Sequence, residues 1–347
     1  MNRNTVRWII AVLMLAALAL GLSSPSVAEE VKKLPLDYTE GGYPARPGGW
    51  THTEDGTPLE YEDSTIHVSV TKGEVVFPVK GKNVKHETFV IRIKIQDVSQ
   101  LRTAASNDKY KGGGAAEAED MARDKKAIIA MNGDYFKGGN RDAMYLVRQG
   151  ELIRDYTHNK RNWIFDMLVI DSEGDFHIVP SAVTENIEAF VAETLTPQGR
   201  TILDTFNLGP VLVVDGQAQD ISNSEAVKRG EYQWKYPQQR IALVQTGHLE
   251  YAIVEVYGRT DSSAGMDLNQ FAEFIVEQCP DAMIAYNLDG GGSTNLVVTE
   301  YNESYVEGSK KKGEREILKS KRICVTPGHR EIHDIIYFAS ADDSPVE

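Results

Sequence analysis

The stretch Ile284–Thr294, IAYNLDGGGST, is the part of the chain whose residue types and spacing could best do chemistry. An apolar run reaches Leu288, and the carboxylate Asp289 then meets Gly290, Gly291 and Gly292, followed by Ser293 and Thr294. A chain that only had to turn would need one or two glycines. Three in a row leave φ unrestricted and remove every β-carbon, so backbone and ligand can approach closely. Successive N–H groups in such a loop suit an anion such as phosphate. The expectation is a site for a phosphate-bearing ligand with Asp289 at its edge. A turn-capping carboxylate on a tight hairpin bend is the plainer alternative.

Other chemistries lack their signatures. The chain has no GxxxxGK[ST] phosphate loop and no HExxH pair. Gly291-Gly292-Ser293-Thr294-Asn295 ends in Asn where a nucleophile elbow has Gly. His329 and His333 are four apart at a strand entrance without a ligand set of metal spacing, which reads as a solvent-facing or hydrogen-bonded pair. Calcium is the cation an acidic extracellular protein could take, but the sequence shows no ligand set of recognisable spacing. Cofactors are therefore expected to be none.

The elements that must position this loop follow from periodicity. Asp267–Cys279 is the clearest helix, with Leu268, Phe271, Ala272, Ile275 and Cys279 on one face. Asp267 with Gln270 resembles a capping box, and Pro280 stops the helix. The strand Met283–Leu288 then delivers Asp289. A second helix over Ala115–Lys126 feeds a buried strand, Ala127–Met131, which ends at Asn132-Gly133-Asp134-Tyr135-Phe136. Asn132 thus ends a buried strand as Asp289 does, and both reach one rim unless Asn132 only makes a structural turn.

Alternation predicts strands at Ile66–Val70 and Glu87–Ile95, and a hairpin of Met167–Ile170 with Phe176–Val179. Phe206–Val214 reads as one strand ending at Asp215-Gly216. Ile241–Gln245 and Tyr251–Tyr257 read as a hairpin across Gly247, and Asn295–Val298 and His333–Phe338 as late strands. Strands outnumber helices and come in hairpins. The expected class is α+β, a mixed, largely antiparallel sheet with packed helices in a single catalytic domain over 64–345. Residues 29–63 are rich in Gly, Pro, Thr and acids without periodicity and read as an N-terminal linker or loosely packed arm.

Residues 1–28 have the form of a signal peptide or membrane anchor: Arg3 and Arg7, an apolar stretch Trp8–Leu22, and Ser26-Val27-Ala28 as a small-residue cleavage site. The expected location is secreted or extracytoplasmic, with membrane contact only through this segment if it is uncleaved. The 347 residues carry a net charge of −14, and removing Arg3 and Arg7 deepens it. Such a surface repels nucleic acid and anionic membrane, so no nucleic-acid partner is expected and an anionic substrate needs local arginines. Cys279 and Cys324 could pair or stay as separate buried thiols.

In chain order, MNGDYF (131–136), NLGPVLVVDGQ (207–217), QRIALVQTGHLEYAIVEVYGR (239–259), GMDLNQFAEF (265–274) and YNLDGGGST (286–294) closely resemble the phosphodiester glycosidase family. The likeness runs over roughly 86–340. It implies hydrolysis of a sugar-1-phosphodiester, within a glycan or cell-envelope polymer, to free sugar and a phosphomonoester. A phosphate leaving group is already a weak base, so stabilising its charge matters more than protonating it. Guanidinium groups suit that task. Arg240 and Arg259 fall in matching blocks and become the implied phosphate ligands, with Asp289 on the sugar or water and Asn132 beside it as catalytic residues.

Gly133, Asp134, Gly290, Gly291, Gly292, Ser293 and Arg330 are the implied substrate-binding residues. Tyr257 stands where the family usually has an acid before Gly-Arg, and Glu255 could compensate. Asp334 is expected to be mainly structural. Trp234 and Tyr236 could stack on sugars, and Lys310–Lys312 with Lys319–Arg322 read as a solvated loop. A non-catalytic glycan- or envelope-binding protein on the same fold is the rival, and a two-carboxylate glycosidase using Asp134 or Glu255 is a third reading.

Overall fold

The structure is a computed structural model that describes residues 31–79, 81–134, 145–157, 165–207, 209–224, 227, 234–260, 263–304, 317–324 and 328–345. Met1–Val31 and Lys32–Glu347 are separate units, and all that follows lies in the second. Residues 1–28, read above as a signal peptide or anchor, and Tyr135, Phe136 and Lys310–Lys312 lie outside the described residues.

Two large sheets dominate. One has nine strands, with Lys82–Ile95, Glu250–Val256, Arg240–Gly247, Ile284–Asn287 and Val211–Val214 adjacent in that order. The other has five, in the order Leu318–Arg322, Leu296–Tyr301, Ala127–Asn132, Asp334–Ala339, Leu101–Ala105. Every ladder between named strands is antiparallel, so the fold is α+β with a strong β majority, and the expected mixed sheet narrows to an antiparallel one.

Central strands of the nine-stranded sheet are apolar on both faces because both faces are covered. Ile91, Ile93, Leu243, Ile253 and Tyr286 share a core with Ile129, Met131, Leu296, Ile336 and Phe338 of the five-stranded sheet. The alternate residues Ala242, Val244, Ala252 and Val254 pack on Leu268, Phe271, Ala272 and Ile275. The five-stranded sheet carries helix α1 (Ala118–Asp124) on its far face, through Ala118, Met121 and Ala122. Helix α2 (Thr184–Phe190) covers a three-stranded sheet, and α3 (Leu268–Gln278) is the helix expected at 267–279. Its capping box is complete: Gln270 N donates to Asp267 Oδ1 at 2.9 Å and Asp267 N to Gln270 Oε1 at 3.2 Å.

Three expectations change. Of the segment 29–63 expected as a linker or loose arm, residues 32–63 are packed: Trp50–His52 and Pro58–Glu62 are strands, Leu34, Ala45, Trp50 and Tyr61 are buried, and Trp50 Nε1 donates to the Thr299 carbonyl at 2.9 Å. Phe206–Val214 is two strands in different sheets, Ile202–Phe206 and Val211–Val214, because Gly209 turns at φ 65° and Pro210 has no N–H to continue the ladder. Lys319–Arg322 belongs to a strand, where buried Arg322 pairs with Glu117 at 3.0 Å and with Glu119 at 2.5 Å. Cys279 and Cys324 are free, buried and in different core clusters.

Candidate active site

Antiparallel register alone brings three of the singled-out residues to one sheet edge. Arg240 opens strand Arg240–Gly247 and pairs with Val256, the last residue of Glu250–Val256, so the turn bearing Arg259 leaves beside it. On the other side, Ala242 pairs with Asn287, so the chain leaving Ile284–Asn287 toward Asp289 emerges at the same edge. Leu288–Asn295 then crosses from the nine-stranded to the five-stranded sheet, where Leu296–Tyr301 runs beside Ala127–Asn132. The glycine bend is therefore the seam between two sheets.

Asn132, 2% exposed, ties the seam. Its Nδ2 donates to the Asp289 carbonyl at 2.9 Å, and its Oδ1 accepts from Asn295 N at 3.0 Å. Gly291 N donates to the Gln239 carbonyl at 3.0 Å, and Ser293 N and Thr294 N close onto Gly290 and Gly291. Several amides expected for a phosphate are thus engaged in holding the bend. The glycines serve close approach instead. A β-carbon on Gly290 would lie 2.8 Å from the Gln239 oxygen and 3.8 Å from Arg240 Nη1. One on Gly291, at φ 63°, would overlap the Arg259 guanidinium, 2.6 Å from Cζ. One on Gly292 would meet the Gly328 carbonyl oxygen at 2.6 Å and lie 3.9 Å from Arg259 Nη1.

Three guanidiniums surround this bend. Arg240 is buried, with Nε donating to the Met266 carbonyl at 3.2 Å and Nη2 to the Tyr236 carbonyl at 3.0 Å. Burial pushes its pKa down to about 10, which still leaves it a cation at neutral pH. Arg259 adopts a positive φ of 62°, and its Nη2 donates to Gln238 Oε1 at 2.9 Å. Arg330 donates from Nε to Ser293 Oγ at 2.7 Å and from Nη2 to Asp289 Oδ2 at 3.2 Å. The Asp289 side chain is 17% exposed, and burial raises its pKa while Ser293 and Arg330 pull it back.

The remaining candidates sit beneath this cluster or away from it. Gly133 lies against Asp334, whose carboxylate would be 2.5 Å from a β-carbon there. Asp134 faces inward, accepting from Arg148 Nη2 at 2.7 Å and Asn207 N at 2.9 Å. Arg148, fully buried, also reaches Asp334 at 3.1 Å, and its guanidinium stacks 4.5 Å from the Phe206 ring centroid. This support is the main element missed in the sequence; an arginine closing the short apolar run Tyr145–Val147 was its signal.

Glu255 is fully buried on the inter-sheet face and is no second acid at the bend. Trp234 packs against the α3 core, whereas the Tyr236 ring, beside Arg240, is 57% exposed. His329 stands 3.6 Å from Glu117. Among the described residues no group of three or more His, Cys, Asp or Glu gathers as a metal site.

Residues 125–338 match the phosphodiester glycosidase family. The chain is similar in fold to the catalytic domain of zebrafish N-acetylglucosamine-1-phosphodiester α-N-acetylglucosaminidase, a structure described as auto-inhibited by its pro-peptide. The TM-score is 0.54 at 16% identity, over 90% of this chain and 99% of that one. A hypothetical protein from Synechocystis is similar with TM-score 0.42 and 14% identity, over 77% of this chain and 61% of its own. No curated protein matches the chain. With a match spanning more than half of its length, the chain belongs to the phosphodiester glycosidase family and is a glycosidase-type hydrolase.

Proposed function

We propose that the protein hydrolyses a sugar-1-phosphodiester in a glycan or cell-envelope polymer, releasing free sugar and a phosphomonoester. The observation that supports this best is the meeting of Arg240, Arg259 and Arg330 around a bend that has no side chain of its own. A phosphate seated against Gly290–Gly292 would have guanidinium donors on more than one side, and these keep their charge as the bond breaks. Buried Arg240, with exposed Arg259 and Arg330 held by hydrogen bonds beside the bend, supplies positioned cations that stabilise charge developing on the leaving oxygen.

Asp289 serves the sugar side. It stabilises positive charge at the anomeric carbon or takes the proton of the attacking water. Water oxygen then bonds to that carbon, the old carbon–oxygen bond breaks, and its electron pair leaves with the phosphate. Asn132 and Ser293 hold Asp289 and Arg330 in place, while Gly133 and Asp134 act as support under the bend. In this reading residues 64–345 are the catalytic domain, and residues 1–28 direct the chain out of the cytoplasm.

The test is incubation with a panel of α-sugar-1-phosphodiesters, with free sugar and phosphomonoester measured. Turnover should fall about a hundredfold or more in Arg240→Ala and Asp289→Asn. Folded protein that binds glycan without turnover, unaffected by either substitution, would instead identify a non-catalytic glycan- or envelope-binding protein.

A further inference from the structure

A buried carboxyl lies one residue behind the glycine bend, connected to it by an unbroken set of contacts. Glu255 sits on strand Glu250–Val256, paired with Ile241 on one side and Phe89 on the other, and is 0% exposed. Gln239 Nε2 donates to Glu255 Oε1 at 3.2 Å. The Gln239 carbonyl accepts the Gly291 N–H at 3.0 Å and touches the space a Gly290 β-carbon would fill. On its other side, a β-carbon on Gly258 would come within 2.5 Å of the Gln239 nitrogen. Gln239 is thus wedged between the bend carrying Asp289 and the turn carrying Arg259. Its side-chain Oε1 and Glu255 Oε2 are buried and make no hydrogen bond among the described residues.

We infer that Glu255 is a positioning residue: in its neutral form it anchors the Gln239 amide, and through it the carbonyl that seats Gly291, while its ionised form disturbs that seat. Two unpartnered acceptors facing a dry interior are costly, and a proton on the carboxyl turns one of them into a donor. The surroundings disfavour the ionised form. Burial pushes the Glu255 carboxyl up to about 7; the Cys324 thiol and Gln239 amide pull it back, and Glu87 pushes it further up.

The groups facing it are Gln239 from the strand entrance, Cys324 beyond strand Leu318–Arg322, Tyr257 beyond its own strand, and Glu87 from Lys82–Ile95. Lys72 of strand Ile66–Val79 is engaged with Glu87 at 3.2 Å, so no cation pairs with Glu255 among the described residues. Ionisation therefore places an uncompensated charge directly behind the bend.

The catalytic consequence rests on the function proposed above; the structural one does not. Hydrogen exchange of the Gly291 amide in the full chain, corrected for intrinsic rate, should show protection that weakens between pH 6 and pH 8 in the wild type. In Glu255→Gln, which copies the neutral acid, protection should hold within about twofold, because nothing there ionises. On a sugar-1-phosphodiester, wild-type kcat/KM should fall up to about tenfold per pH unit above 7, and the variant should lose that limb. Equal protection in both proteins at pH 8, or superimposable pH profiles, overturns the inference. Exchange that behaves as expected with no turnover on any phosphodiester sinks the functional reading and leaves this linkage standing.

Discussion

Asn132 and Asp289 end strands that belong to different sheets, and a 2.9 Å hydrogen bond from Asn132 Nδ2 to the Asp289 carbonyl joins them. The same amide accepts from Asn295 N, so one buried side chain satisfies groups on both sides of the glycine bend. Asn132→Ala leaves a carbonyl and an N–H without partners, at a cost of about 1–3 kcal/mol each when buried. The expected outcome is a lower melting temperature together with a loss of kcat. Thermal denaturation and steady-state kinetics measure the two, and an unchanged kcat would show that the link does not position Asp289.

Gly291→Ala combines two effects that can be separated. The residue has φ 63°, and its β-carbon would overlap the Arg259 guanidinium. Backbone strain alone costs about 1–2 kcal/mol. Gly48, at φ 61° with open space around it, is the control. Gly48→Ala should lose similar stability and retain activity, whereas Gly291→Ala should lose activity as well because Arg259 must move.

Arg330 tunes Asp289. Burial already raises that carboxyl, and the Arg330 cation at 3.2 Å lowers it. Removing the cation makes the carboxyl ionise at higher pH. If Asp289 works as a carboxylate, the acidic limb of kcat/KM moves to higher pH in Arg330→Ala, and Arg330→Lys should move it back partway. A pH–rate profile for the three proteins decides this. The effect on stability should be small, because the Arg330 side chain is 58% exposed.

The buried cluster under the bend carries a pH signature of its own. Burial, with Asp134 alongside, holds the Asp334 carboxyl above its ordinary value of 3.8, although Arg148 opposes this. The folded state then binds a proton more tightly than the unfolded chain, so stability falls as pH rises through that window. Asp334→Asn should flatten this decline in melting temperature between pH 5 and pH 8. Arg148→Met, which leaves two buried carboxyls without their cation, should cost about 3–5 kcal/mol.

Local order was legible because its causes are local. Helix α3 could be read from a complete capping box and an apolar face repeating every three to four residues, both contained within a dozen positions. The strand Ala127–Asn132 was legible because the whole of it is buried, which demands an uninterrupted apolar run. The packing of residues 32–63 was not legible because their partners are remote: Arg102 Nη2 reaches the Asp37 carbonyl at 2.8 Å, and Trp50 reaches Thr299. The split of Phe206–Val214 was hidden because both halves are apolar, and only the sheet each one joins separates them.

By itself the sequence determined which residues could bear chemistry, since an acid beside three glycines and a resemblance in ordered blocks are properties of the string. Only the tertiary structure decided which of them meet. Antiparallel register sets Arg240, Arg259 and Asp289 at one edge, and the crossing between sheets adds Asn132 and Arg330. The same packing turns Asp134 inward to Arg148 and sets Glu255 behind the bend, against Gln239. The physical reason is that side-chain direction alternates along a strand, while the partner lying across it is chosen by burial of the whole sheet.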